Sequence, residues 1–144
     1  MKRPVSETVV KQITDSGAQG RAAWKKGDIP EAEAHFLEAW AALPDPKLEH
    51  DYAQSLSNGI VIFYRDTHQY PKARHWLSIM REAYGPEPNE YVEFLAGTVA
   101  FDAGDLDEAF RLFHPLYQKW KARPFQGSDK RYLEFYRKRA AERR

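Results

Sequence analysis

GDIPEAEAHFLEAW beginning at Gly27, HQYPKARHWLSIMR beginning at His68 and GDLDEAFRLFHPLY beginning at Gly104 are three versions of one pattern. Each opens on a turn residue, a polar residue and a hydrophobic residue, and after two more comes alanine: Ala32, Ala73 and Ala109. Four residues beyond each alanine stands a large apolar side chain, Phe36, Leu77 or Phe113. The i, i+4 spacing puts the small and the large group on one helix face, where alanine admits a neighbouring helix and the larger group fills the gap beside it.

Working outward, the twelfth residue before each alanine is Gly20, Val61 or Gly97, and the ninth is Ala23, Tyr64 or Ala100. These positions read as the contact face of a preceding helix. Glycine inside a helix costs about 1 kcal/mol relative to alanine, so Gly20 and Gly97 need a reason, and close helix-to-helix approach supplies one. The unit is therefore a helix–turn–helix used three times. Asp28 and Asp105 are placed to cap the second helices, and Pro30 and Pro71 suit a first helical turn. Pro44, Pro46, Pro86 and Pro88 fall between units, where a helix must stop. Helices are expected near Val5 to Lys26, Pro30 to Leu43, Leu48 to Asp66, Pro71 to Tyr84, Asn89 to Ala103, Leu106 to Lys121 and Ser128 to Ala141. GIVIFY at Gly59 to Tyr64 has the composition of a strand but lies in the helical register of the repeat, and is expected to be helical.

The 144 residues form one expected all-α domain spanning 1–144, with repeats at about 5–44, 48–85 and 89–122 and a capping helix at 128–141. Twenty aromatics recur along the whole length, which disordered chains do not show. The absence of cysteine excludes disulfides, thiolate nucleophiles and Cys-based metal sites. The opening stretch MKRPVSETVVKQITDSG lacks the apolar run of a signal peptide, and no window approaches the ~18 apolar residues of a membrane span. A cytoplasmic location, with no membrane partner, is the expectation. The net charge of +1 hides an asymmetry: residues 119–144 carry +7 and residues 1–118 carry −6. An acidic body favours basic partners, while the basic end could meet phosphate, an acidic surface or the chain's own body.

Taken together, these units resemble the tetratricopeptide repeat family, whose signature runs from Gly and Tyr in a first helix to Ala, Phe, Ala and Pro in and after the second. The first unit carries Gly20, Trp24 beside the tyrosine place, Ala32, Phe36, Ala39 and Pro44. The third carries Gly97, Gly104, Asp105, Ala109 and Phe113 but has Leu116 and Lys121 where the final Ala and Pro belong. The second departs furthest, with Val61 and His68 at glycine places. Intervals of 41 residues from Ala32 to Ala73 and 36 from Ala73 to Ala109 exceed the family's ~34, which predicts lengthened connections. The resemblance implies a right-handed superhelix of three helix pairs with a C-terminal capping helix, whose first helices line a concave binding surface.

The end of the chain, through Phe125, Gly127, Asp129, Tyr132, Leu133 and Phe135, is similar to the tail of small bacterial tetratricopeptide-type proteins often found beside toxin genes of polymorphic secretion systems. That resemblance implies an immunity protein whose partner is a cognate toxin domain. The other reading is an adaptor or chaperone that holds a peptide segment from a secretion or assembly system. In either case the inward-facing positions are Arg21, Trp24, Lys25, Asn58, Ile62, Arg65, Asp66, Tyr91, Phe94, Thr98, Phe101 and Asp102. Arginine and aromatics are the side chains that concentrate binding energy, although aromatics at helical spacing also serve as core. Tyr132, Phe135 and Tyr136 are expected to pack inward on the third pair and hide its apolar edge.

Catalysis finds no convergent constellation. His50 is flanked by Glu49 and Asp51, but adjacent helical residues point apart; His68 and His75 are separated by a turn and Pro71; His35 and His114 are isolated. No phosphate-binding loop, dinucleotide fingerprint or nucleophile elbow is present, so neither cofactor nor metal is implied. Nucleic-acid binding ranks behind protein binding: Lys130, Arg131, Arg137, Lys138, Arg139, Arg143 and Arg144 interleave with Tyr132, Phe135 and Tyr136, but the body is acidic and no recognition motif accompanies them.

Overall fold

The computed structural model describes residues 2–143 and is all-helical, with no strand among those residues. Seven α-helices follow in order: α1 (Glu7–Lys25), α2 (Ile29–Ala42), α3 (Tyr52–Asp66), α4 (Tyr70–Tyr84), α5 (Glu90–Asp102), α6 (Leu106–Trp120) and α7 (Lys130–Glu142). Helices α1 and α2, α3 and α4, and α5 and α6 pack as pairs, each pair resting on the next, and α7 closes the series against α6. Among the described residues no helix is long and apolar enough to cross a membrane.

Six of the helices start and stop within two residues of the expected bounds, while α3, expected from Leu48, begins at Tyr52 after a 3-10 turn at Lys47–Glu49. Ser6, Asp28, Asn89 and Asp129 each turn a side-chain oxygen back onto the first free amides of their helices, satisfying donors that have no partner within the helix. Asp105 departs from the expectation. It stands at the start of α6 but its side chain caps no amide; its carboxylate accepts instead from Arg74 of the preceding helix pair at 3.0 Å. The first helix of every pair ends in the same way. Asp28 N donates to Ala23 O, Gln69 N to Tyr64 O and Asp105 N to Ala100 O, at 2.8–2.9 Å, the six-to-one bond that needs a left-handed residue just before it. That residue is Gly27, His68 or Gly104, with φ of 85°, 61° and 84°. The second pair thus makes the turn of the other two with a residue that resists it.

Gly20 and Gly97 permit the contact the pattern requires. A Cβ on Gly20 would lie 2.7 Å from Cε1 of Phe36, and one on Gly97 would lie 2.7 Å from Cδ1 of Phe113. In the second pair both groups change together: Val61 replaces glycine and the smaller Leu77 replaces the ring, and both are buried in the central core. GIVIFY is helical. Its Ile60, Val61, Phe63 and Tyr64 are buried by helices on either side, and packing overrides their strand preference.

Two features lie outside the repeat. Residues before α1 run alongside the connection between α2 and α3: Arg3 pairs with His50 as an isolated bridge, and Lys2 Nζ donates to the carbonyls of Leu48 and Ala83 at 2.7 Å each. His50 is buried by this strap, with Nδ1 3.2 Å from the Arg3 carbonyl. At the other end, a second core of aromatic rings joins α5, α6, the 3-10 turn Arg123–Phe125 and α7, centred on Phe94, Phe113, Phe125, Tyr132 and Tyr136.

Candidate partner-binding cleft

The folding back of α7 creates the principal concavity, a cleft of about 710 Å³ between α3 and α5 on one side and the chain from Trp120 to Tyr132 on the other. Asp129 caps α7, and Gly127, with φ of 82°, turns the chain into it. The helix is thereby aimed so that the Tyr132 ring sits edge-on to Phe101 and Phe94, at 5.4 and 6.3 Å.

At its polar end the cleft holds a linked set of charges. Arg65 Nε donates to Asp66 at 2.8 Å, and its Nη1 donates to the Thr98 hydroxyl at 2.9 Å. Thr98 in turn donates to the Leu95 carbonyl at 2.7 Å, so the guanidinium is held from behind by a fully buried group. Asp102 lies 3.8 Å from both Arg65 and Arg131 and accepts a hydrogen bond from the Tyr132 hydroxyl at 3.1 Å. Burial raises the Asp102 carboxyl above its ordinary value, against the lowering effects of Tyr132, Arg65 and Arg131. Burial, reinforced by Asp102 and opposed by Arg65, pushes the Tyr132 hydroxyl up to about 12. It therefore remains a donor at neutral pH. Arg131 Nε is held at 2.9 Å by Asp129.

The other end is apolar and aromatic. Tyr91 is exposed, with its hydroxyl donating to Asn58 Oδ1 at 2.9 Å. Opposite it stands Trp120, whose buried indole N–H meets no acceptor among the described residues. The Arg123 guanidinium lies over the Trp120 ring at 6.0 Å. An exposed tyrosine and an exposed arginine beside an aromatic ring are the chemistry of an interface centre.

Six of the twelve residues expected to face inward line this cleft: Ile62, Arg65, Asp66, Tyr91, Phe94 and Asp102. Asn58 supports Tyr91 from beside it. Thr98 and Phe101 stand behind the surface; Thr98 is 1% exposed and braces Arg65, while Phe101 is roofed by Tyr132, Phe135 and the Arg131 guanidinium. Trp24 packs edge-on against Phe36 and Phe63 at 6.2 and 5.1 Å, against the central core. Arg21 and Lys25 are exposed on α1, away from the cleft. The first pair lies two helix pairs from α7, whose approach forms the opposing wall, so Arg21, Trp24 and Lys25 do not line this cleft. Reading the first helices alone missed that wall: Trp120, Arg123, Asp129, Arg131 and Tyr132. The tail run from Phe125 to Phe135 was its sequence signal.

Among the described residues no three His, Asp or Glu side chains stand together as a metal site would require. His114 is engaged with the Tyr136 hydroxyl at 2.7 Å and His68 with that of Tyr70 at 2.8 Å. Comparison of the chain with protein-family models, curated proteins and solved structures returns no match in any of the three.

Proposed function

We propose that this chain is a non-enzymatic interaction module of the tetratricopeptide type, acting as a bacterial immunity protein that binds a toxin domain through the α3–α5–α7 cleft and blocks its active site. The observation that carries the reading is the pre-arranged Arg65–Asp66–Asp102–Tyr132 set beside the exposed Tyr91 and Trp120. Side chains already fixed by hydrogen bonds lose little freedom on binding, which removes one of the main costs of association. A loop of the partner entering the cleft would cover Tyr91 and meet the Arg65 and Asp66 side chains at the polar end. The −6 charge on residues 1–118 suits a basic toxin such as a nuclease.

The test is co-expression with the product of the neighbouring upstream gene, followed by affinity measurement. The immunity reading expects a one-to-one complex stable to high salt, weakened about 30-fold or more by Arg65→Ala or Tyr91→Ala, the effect of losing a hot spot of about 2 kcal/mol. Folded variants that bind with unchanged affinity would remove the cleft from the interface. Weak capture of several extended peptides would favour the adaptor reading, and recovery of nucleic acid released by salt would favour the basic C-terminal helix.

A further inference from the structure

The molecule has a second groove, on the far side of α7 from the cleft, and the helix pairs themselves indicate its occupant. Helix α6 packs on the groove between α4 and α5, with Glu108 3.7 Å from Arg74 and Leu112 against the core of Leu77, Ala96 and Val99. One step further along, α6 and α7 form the corresponding groove, of about 640 Å³, and no helix of the described residues lies in it. Aligning the two helix starts at their caps, Asn89 and Asp129, places Ala140 where α5 has Ala100 and Arg137 where it has Gly97. Helix α7 thus stands to α6 much as α5 stands to α4.

The floor of this groove is preformed. Phe110, His114 and Tyr136 form a three-ring cluster, Phe110 lying nearly parallel to His114 at 5.1 Å and to Tyr136 at 5.3 Å, with interplanar angles of 18° and 14°, and the Tyr136 hydroxyl is bonded to His114 Nδ1. Its rim is cationic. Arg143 lies over the Phe110 ring at 4.8 Å and Arg137 is exposed, while the neighbouring Arg139 is already held by Asp107 at 2.8 Å. We propose that the α6–α7 groove docks an acidic amphipathic helix from a partner protein.

Charge selects this occupant. Arg137 stands where glycine elsewhere admits a phenylalanine ring, so the guest must meet it with a carboxylate; small apolar residues fit opposite Ala140. A second copy of α7 is disfavoured, because its own Arg137, Lys138 and Arg143 would face the same cations.

A suitable probe is a synthetic peptide of residues 28–43, blocked at both ends and held helical by a staple on its polar face. It carries Asp28, Glu31, Glu33 and Glu38 with no lysine or arginine, and an apolar stripe through Ala32, Phe36 and Ala39. Titrated against the full chain by fluorescence anisotropy, it should bind saturably at one-to-one stoichiometry. Affinity should fall at least tenfold in the Arg137→Glu/Arg143→Glu variant, less in the milder Arg137→Gln/Arg143→Gln variant, and remain unchanged in Arg65→Ala. Absence of saturable binding, equal binding of a Glu→Lys peptide, or loss of binding in Arg65→Ala overturns the proposal. So does dimerisation of the chain alone that Arg137→Glu/Arg143→Glu abolishes, which would make a second copy the occupant.

Discussion

Gly97→Ala isolates the contact on which the pairing of helices rests. In an unconstrained helix the substitution would stabilise by about 1 kcal/mol, because alanine loses less backbone freedom than glycine. Here the added methyl would lie 2.7 Å from Cδ1 and 3.0 Å from Cζ of Phe113, and closer still to Cε1. Phe113 is 0% exposed, with Phe94 and Phe125 at ring distances of 5.5 and 5.1 Å, so the ring cannot retreat without moving the second core. Overpacking of a closed core costs about 1–3 kcal/mol, and the enclosure of Phe113 places this case at or above the upper end. A net loss of about 2 kcal/mol follows. For a chain of this size it corresponds to a fall of about 6 °C in the thermal midpoint. Urea unfolding with an unchanged m-value, alongside calorimetry, would measure it. Adding Phe113→Leu should recover part of the loss, since Val61 and Leu77 already form that smaller combination in the second pair. A midpoint raised by 2–3 °C in Gly97→Ala, as helix propensity alone predicts, would refute the reasoning. Gly20→Ala should be milder, because its opposing Phe36 is only half-buried and has room to shift.

Other outcomes follow from single contacts. His68→Gly should raise stability by about 0.5–1 kcal/mol, through relief of the left-handed φ of 61°, measurable as a higher thermal midpoint. Tyr132→Ala should cost about 3–4 kcal/mol by leaving a ring-sized void among Phe94, Phe101 and Phe113, and should admit a hydrophobic dye and speed proteolysis before α7. Asp102 supplies a pH test. Its folded pKa is raised by burial, so the folded state binds the extra proton first and stability falls as pH rises from the unfolded to the folded value. The penalty is complete above that window, just over the ordinary carboxylate range. Asp102→Asn should abolish that slope while keeping the Tyr132 hydrogen bond; an unaltered pH profile would show that Asp102 is not its source. Glu33 runs the opposite way: Lys72 and Tyr64 lower its pKa by donating to it. Its contribution, present above the ordinary carboxylate range, is lost as pH falls through the depressed value, and Lys72→Met should flatten the acid limb of the stability curve.

The sequence by itself determined the helices, their pairing and their close contacts. Caps, prolines and a left-handed turn act within a few residues, and the Gly20–Phe36 and Gly97–Phe113 contacts recur at a fixed spacing, so short-range chemistry was enough to read them. It also marked Arg65, Asp66, Tyr91 and Asp102 as one face of successive first helices. Tertiary structure decided what that face becomes. The N-terminal strap across Leu48, His50 and Ala83 joins segments up to 81 residues apart, and no periodicity announces it. The direction of α7 decided that Phe101 is roofed, that Tyr132 reaches Asp102, and that Trp120 and Arg123 form the opposing wall. It also set Trp24 against the central core and left the α6–α7 groove unfilled among the described residues. A repeat specifies each helix relative to its neighbours in the chain, whereas a cleft is made by side chains brought together from opposite walls, and only the fully packed molecule defines that distance.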